Sequence, residues 1–536
     1  MPLSASIGGI SDNRGMNALP STPAPTVTDT VTTLRADLES AEYTVDRIRE
    51  LVGEVANDAL HREQRLPALR AVESVMSPLA VLVRFFVVGL PISADERDLA
   101  FPRTSAQALI EMGVAAQESE EGAVTYRALV NVRPVVLTDT GGEVTWWLAS
   151  DLGETATGRA LHPDHVLGAG GASFTLAQVT PRTNVGRVLD IGTGCGVQAL
   201  AATRHARQVM ATDISPRAVA FARFNAALND SDVEIREGSF FEPVHGETFD
   251  LVVSNPPFVI TPRTGTDLAL YEYRDGGAAG DRVVAQMVTD VPQYLAAGGC
   301  AVMLGNWEVT AGSRWDEGPR AWIEQARALH GDLDAWVIQR EFLDPAHYAE
   351  TWLRDGGMTQ DRDRELWESA YRAWLDDFAS RTVEGVGFGI IVIRRPVQAR
   401  AAWTRCEEIT GDVSQPLGPT IAATLAGVDV LKEMTDHELL EQRLRTAADV
   451  TEERYITPGV GEPSVIIIRQ GGGLRRAVQA DTVLAGFVSA CDGELTAGQI
   501  MSAICALMDL PVDDTLAATL PTIRGLITDG ILTFTA

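Results

Sequence analysis

Three short stretches of this chain carry residue types that can do chemistry. The first is "DLVVSNPPFVI", Asp250 to Ile260, where an apolar run stops on Asn255, Pro256, Pro257 and Phe258. Prolines end strands because they cannot donate to the sheet ladder, but one breaker would suffice for that. Asn-Pro-Pro-aromatic therefore reads as a rigid platform presenting an amide, a backbone carbonyl and a ring at the C-terminal edge of a strand. The second stretch is "RVLDIGTGCGVQALA", with Asp190, Gly192, Thr193, Gly194 and Gly196 in a D-x-G-x-G-x-G turn. Its glycines allow a tight turn and close approach of a ligand to the backbone. The third, "RQVMATDIS", reaches Asp213 about twenty residues past the first glycine, where a carboxylate can accept hydrogen bonds from both ribose hydroxyls of an adenosine-type cofactor.

These residues need elements to hold them. Arg187 to Ile191 reads as a buried strand, the glycine turn leads into a helix-compatible run, and "RQVMATDIS" reads as the next strand. Ser215 then caps a helix with Pro216 at its first position, as helix starts prefer. Strand, glycine turn, helix, strand, acid is one half of a doubly wound nucleotide-binding sheet. The glycines alone fit NAD as well as other cofactors. Two features point away from NAD: an acid, Asp190, precedes the turn where dinucleotide binders usually have only apolar strand residues, and a dehydrogenase does not require the platform two strands later.

The glycine turn, the ribose acid and "NPPF", in this order, resemble the class I S-adenosylmethionine-dependent methyltransferases. Within them the chain is similar to the amino-methylating group marked by N-P-P-aromatic, which includes the HemK-type glutamine methyltransferases and several RNA and DNA amino methyltransferases. Gly276-Gly277-x-x-Gly280 resembles the glycine segment that follows the platform in HemK-type enzymes, and "NPPFVITPR" looks closest to their eukaryotic and archaeal branch. The resemblance implies S-adenosyl-L-methionine as cofactor, held by Asp190, Gly192, Thr193, Gly194, Gly196, Asp213, Ile214, Ser239, Phe240 and Asn255. It implies catalytic roles for three residues. The Asn255 side-chain oxygen and the Pro256 carbonyl would accept the two N–H bonds of a planar amine, and Phe258 would stack on it. HemK-type enzymes usually carry an acid where this chain has Ser239. A hydroxyl accepts more weakly than a carboxylate, and packing of Phe240 on the adenine would compensate.

The implied fold class is α/β: a Rossmann-like seven-stranded methyltransferase domain over 151–400, with a helical insertion at about 341–384 standing above the active-site edge. Residues 31–150 read as a helical domain ending in alternating strands, hence winged-helix-like, with capping boxes expected at Ser93–Glu96 and Thr104–Gln107. Residues 401–536 read as a second winged-helix-like domain, one helix opening with a Thr496–Gln499 box. Residues 1–30, rich in Ser, Pro, Thr and Gly, read as a mobile tail. His162 and His165 are three apart without clustered acidic or cysteine partners, so no metal site is expected; they are assigned to a structural or lid role, with contact to cofactor or substrate as the alternative.

Composition sets bounds on function. A hydrophobic content of 45% fits globular domains, and 536 residues are too many for one core. The net charge of −29 argues against non-specific coating of nucleic acid, which needs clustered cations. Lys432 is the single lysine, which excludes most lysine-based chemistry. The five cysteines form no C-x-x-C pair and suit a reducing compartment. With no signal peptide and no membrane-spanning run apparent, a cytoplasmic location is expected. The expected activity is N-methylation of a planar amino nitrogen, with a protein glutamine amide as preferred substrate. An exocyclic amine of adenine or guanine in RNA or DNA is the alternative, favoured by winged helices and opposed by the charge. A cofactor-sensing binding module without turnover is the reading from another class. A protein partner at the C-terminal domain is expected, and no membrane.

Overall fold

The computed structural model describes residues 24–62, 64–120, 122–139, 141–157, 161–263 and 271–535. Residues 1–23 of the expected tail lie outside them. The stretch 24–30 is docked rather than free: the Thr26 amide donates to Met112 O at 2.9 Å.

The centre is one eight-stranded sheet. Its strands are β1 (Val185–Ile191), β2 (Ala206–Asp213), β3 (Glu234–Glu237), β4 (Phe249–Ser254), β5 (Leu295–Thr310), β6 (Asp334–Leu343), β7 (Val383–Arg394) and β8 (Thr404–Glu408). Their order across the sheet is β8-β6-β7-β5-β4-β1-β2-β3. All neighbours run parallel except β7, which is antiparallel to both β5 and β6. Seven of these strands lie within 151–400, and β8 adds an eighth from beyond that boundary. "TRCEE" is short and polar and gains its place only by pairing with β6, a non-local contact that its own sequence does not announce.

Helices cover both faces, as a mostly parallel sheet requires. They are α1 (Gly171–Val179), α2 (Val197–Ala202), α3 (Pro216–Leu228), α4 (Arg282–Asp290), α5 (Glu317–His330), α6 (Pro345–Asp355), α7 (Arg364–Ser380) and α8 (Gly418–Glu433). Alternate strand residues separate the faces. Leu189, Val252, Met303 and Ile391 meet α4 and α5 through Met287, Val288 and Ile323. Val188, Val253, Val302 and Ile390 meet α1, α3 and α8 through Leu176, Val219, Ile421 and Leu425. Helices α6 and α7 form the insertion between β6 and β7, and bury Tyr348, Trp367, Trp374 and Phe378 against Val259 and Ile260.

In the N-terminal region, helix Pro78–Leu82 continues into a π-helical turn, Val83–Val88, all of it buried. Arg84 is accommodated there by Val72 O at 2.8 Å, Val75 O at 3.0 Å and Glu96 at 2.6 Å. The Ser93–Glu96 capping box forms. The Thr104–Gln107 box does not: Ser105 caps that helix, and Thr104 is drawn inward because its amide donates to buried Asp37 at 2.9 Å. The hairpin Asn131–Asp139 and Gly142–Ser150 then docks on α3. Asn225 exchanges hydrogen bonds with the Ala149 backbone at 2.7 and 2.9 Å, and Asn229 does so with Trp147 at 2.9 and 2.8 Å. The C-terminal residues build a separate core around Leu444, Phe487, Met501 and Ile523, and the Thr496–Gln499 box forms. No helix among the described residues is long and apolar enough to cross a membrane.

Candidate active site

The glycine turn leaves the C-terminal end of β1 with all three glycines in the left-handed region, φ +69° at Gly192, +54° at Gly194 and +91° at Gly196. L side chains rarely adopt that conformation. A Cβ at Gly192 or Gly194 would meet no protein atom within 4 Å, so the turn borders open space there, whereas Gly196 packs on Ala222 of α3. Asp190 and Thr193 hold the turn from inside. The Asp190 carboxylate accepts the Thr193 hydroxyl at 2.6 Å and the Ala199 amide at 3.0 Å, both on one oxygen. Burial pushes its carboxyl up to about 7, against the pull of those two donors.

Asp213, at the tip of β2, accepts the Gly194 amide at 2.9 Å on one oxygen and the Ser215 amide at 2.9 Å on the other. Burial raises its carboxyl above the usual range, while these N–H donors lower it. Each oxygen keeps a second lone pair for a further donor. Ile214 beside it is 66% exposed, an apolar surface next to the acid. Ser215 occupies the cap position of α3 with Pro216 after it, but its side chain makes no cap bond, contrary to expectation. Ser239 and Phe240 are half-buried on the loop after β3. Phe240 has φ +44°, and its carbonyl accepts the Thr212 hydroxyl at 3.2 Å.

The platform follows β4, adjacent to β1 in the sheet. Buried Ser254 donates to Ile191 O at 2.8 Å and ties the two strand ends together. The Asn255 side-chain oxygen is out of contact with solvent and, among the described residues, has no hydrogen-bond partner. Pro256 is buried; Phe258 is half-buried and meets Phe388 edge-on at 6.4 Å. The glycine segment packs directly on this loop. Phe258 bridges Asp275, and the Val259 amide donates to Arg274 O at 2.8 Å. A Cβ at Gly276 would lie 2.9 Å from Pro257 O and 2.5 Å from Val283, so only glycine fits.

Two residues here escape sequence reasoning. Asp275 accepts Arg263 at 2.6 Å and the Gly277 amide at 2.8 Å on one oxygen, while the other is buried without a partner among the described residues. Its position just before the glycine pair was the available signal. Tyr348 of α6 accepts the Ile260 amide at 2.9 Å, and no local pattern links residues 88 apart.

The histidines lie to one side. His162 is hydrogen-bonded to Asp164. His165 is buried 4.0 Å from Asp151, whose carboxylate also takes Arg217. Burial holds its imidazole below the usual range against the pull of Asp151. Among the described residues no group of three or more His, Cys, Asp or Glu could hold a metal ion.

Sheet and turn form a mostly parallel α/β domain, and its central segment is similar to known methyltransferases. Residues 170–271 match the family model described as "Methyltransferase small domain", and residues 40–127 match a "Domain of unknown function (DUF7059)". The resemblance read from the sequence is borne out over the first of these segments. The chain is 40% identical over 121 residues to a release factor glutamine methyltransferase of Geobacter sulfurreducens, covering 21% of this chain and 42% of the relative. It is 40% identical over 128 residues to the protein of that name in Deinococcus radiodurans, covering 22% and 44%. A ribosomal RNA small subunit methyltransferase C of Escherichia coli is 38% identical over 101 residues, covering 18% and 29%. The chain thus spans less than half the length of these curated relatives.

Proposed function

We propose that this chain is an S-adenosylmethionine-dependent N-methyltransferase acting on a planar amino nitrogen, with the side-chain amide of a protein glutamine as its substrate. The observation that carries the reading is the Asn255 oxygen, buried just past the end of β4 without a hydrogen-bond partner among the described residues, one strand from the glycine turn. A buried acceptor without a donor costs about 1–3 kcal/mol, so a site that keeps one is built for a donor that arrives with a ligand.

The residues present fit the cofactor. Open space at Gly192 and Gly194, spare lone pairs on Asp213 and exposed Ile214 together suit an adenosine moiety. When bound, S-adenosylmethionine supplies a methyl group on sulfonium sulfur, already a good electrophile. The chain's own task lies with the nucleophile. An amide nitrogen shares its lone pair with the carbonyl and attacks poorly. The Asn255 oxygen and the Pro256 carbonyl, as acceptors of its two N–H bonds, turn that lone pair outward and stabilise positive charge as it develops. Pro256 and Pro257 fix φ, so the acceptors do not drift. Phe258 provides an apolar wall and excludes water. The proton released after transfer passes to solvent, with no strong base required.

Methylation of a base amine is the second reading, favoured by the similarity to a protein named as a ribosomal RNA methyltransferase. The net charge of −29 opposes it. A sensor without turnover is disfavoured by the intact Asn255 and glycine turn.

The same proposal covers the flanks. In the N-terminal unit, strand Ile92–Ser93 pairs with Ala123–Ala128, which also pairs with Ala115–Glu120, and two helices lie between the first strand and this hairpin. That order supports a winged-helix-like unit over 31–150. The C-terminal unit, with strands Arg443–Thr446, Asp492–Thr496 and Leu532–Phe534 around its helices, is assigned a similar kind of fold and a partner-binding role. A cytoplasmic location completes the reading.

The test is tritiated S-adenosylmethionine incubated with cell lysate, the products split by nuclease or protease. Label should reside in protein, and Asn255→Ala should abolish it while cofactor affinity stays within about threefold by calorimetry. Label that survives protease and not nuclease would establish the RNA or DNA reading instead, and turnover retained by the variant would refute the clamp.

A further inference from the structure

Helices α6 and α7 are built onto the platform, and one side chain makes the connection. Tyr348 is fully buried. Its hydroxyl bridges the backbone N–H of Ile260 and the carboxamide of Asn306, each at 2.9 Å. Its ring stacks on Phe388 with centroids 5.5 Å apart, and Phe388 meets Phe258 edge-on at 6.4 Å. Val259 and Ile260, the next residues of the loop, share a core with Trp367, Trp374 and Phe378 of α7. Tyr348 therefore touches the platform loop twice: at its backbone through the hydroxyl, and at its aromatic residue through one intervening ring. The two N–H groups it receives are shut away from water, so nothing replaces the hydroxyl if it is lost.

We propose that Tyr348 is a positioning residue for methyl transfer, and that the insertion between β6 and β7 sets the placement of Asn255 and Phe258 rather than merely covering the sheet. The proposal rests on the reading of 255–258 as an amine clamp. Asn306 stands on β5, which runs beside β4, so the hydroxyl pins the loop to the sheet at a second point beyond Ser254. Alignment is what this reaction demands of the protein, and a displacement of about 1 Å at a reacting group costs on the order of a hundredfold in rate.

Tyr348→Phe removes the hydroxyl and keeps the ring. The experiment measures amide hydrogen exchange over residues 255–263, and the kinetics of label transfer from tritiated S-adenosylmethionine to the protein fraction of nuclease-treated lysate. Exchange in that segment should quicken at least about tenfold, and kcat should fall by about tenfold or more, with KM for the cofactor within about twofold. Phe378→Leu is the control. Its ring packs edge-on against Tyr348 at 5.5 Å, so the variant loosens the same core and leaves the hydroxyl in place. It should lower Tm and reduce kcat far less than Tyr348→Phe does. Unchanged exchange in Tyr348→Phe, or a loss of kcat in Phe378→Leu as large as in Tyr348→Phe, would overturn the proposal. A wild-type chain that transfers no label defeats the clamp reading on its own account, and the exchange result still decides whether Tyr348 holds the loop.

Discussion

Asp190 shows what a motif residue does for the fold itself. Its carboxylate faces Thr193 and Ala199 and lies 1% exposed, so it braces the turn that Gly192 and Gly194 open to a ligand. Its titration gives a prediction with a definite sign. A carboxyl that titrates near 7 when folded, against about 4 in the unfolded chain, keeps its proton in the folded state over a range where the unfolded chain has lost it. The stability it contributes is whole below about pH 4 and is lost as pH rises through about 7. Asp190→Asn keeps one side-chain oxygen for both donors and removes the titration. Thermal unfolding followed from pH 4.5 to 8 should show Tm of the wild type falling relative to the variant as pH rises; parallel curves would contradict the assignment. At this scale the sequence was legible where function is local. Asn255, Gly192 and Asp213 each stand at the C-terminal end of a strand, as expected, and the sheet order makes those strands neighbours. Asp275 and Tyr348 were not legible, because a bridge to Phe258 and a hydrogen bond to Ile260 are made only after folding.

Elements were readable in proportion to how local their causes are. The strand at Val185–Ile191, the turn and the strand ending at Asp213 follow from apolar runs and glycines in direct succession. The caps at Ser93 and Thr496 formed as their four-residue patterns require, whereas Thr104 lost its box to a neighbouring serine and a distant aspartate. Docking of one element on another was invisible. Asn225 on α3 and Asn229 just past its end sit four apart, and they act as a short surrogate strand for the hairpin edge at Trp147 and Ala149. Asn225 also donates to Cys195 O at 2.8 Å, so it binds the N-terminal unit to the glycine turn. Asn225→Ala would strand one amide and two carbonyls in the interior. We expect a loss of about 3 kcal/mol in denaturant unfolding. A change within about 0.5 kcal/mol would mean that the hairpin holds by packing alone.

The whole molecule departs most from what composition and length suggest, which is a string of separable domains. A boundary near residue 400 is reasonable from the sequence, yet β8 adds an edge strand to the central sheet after that point, and α8 buries Ile421 and Leu425 on its face. Ion pairs continue the connection: Arg405 meets Asp529 and Arg476 meets Glu407. A chain ending at residue 400 should therefore expose Trp336, Ile338 and Val392, which share a core with α8, and should aggregate on expression. Recovery of a soluble, cooperatively unfolding fragment would show the C-terminal part to be dispensable to the sheet. Charge acts at this scale too. The net charge of −29 weighs against phosphate backbones as partners.

The insertion has one more consequence. Leu343 at the end of β6 pairs with Val386 near the start of β7, so the detour through α6 and α7 departs from the sheet and rejoins it at nearly the same place. The two strands stay paired up to that point, past one irregularity in register between Gln339 and Glu341. An excursion that leaves and rejoins at one place can be exchanged without reordering the strands, much as a tool is re-tipped without changing the handle.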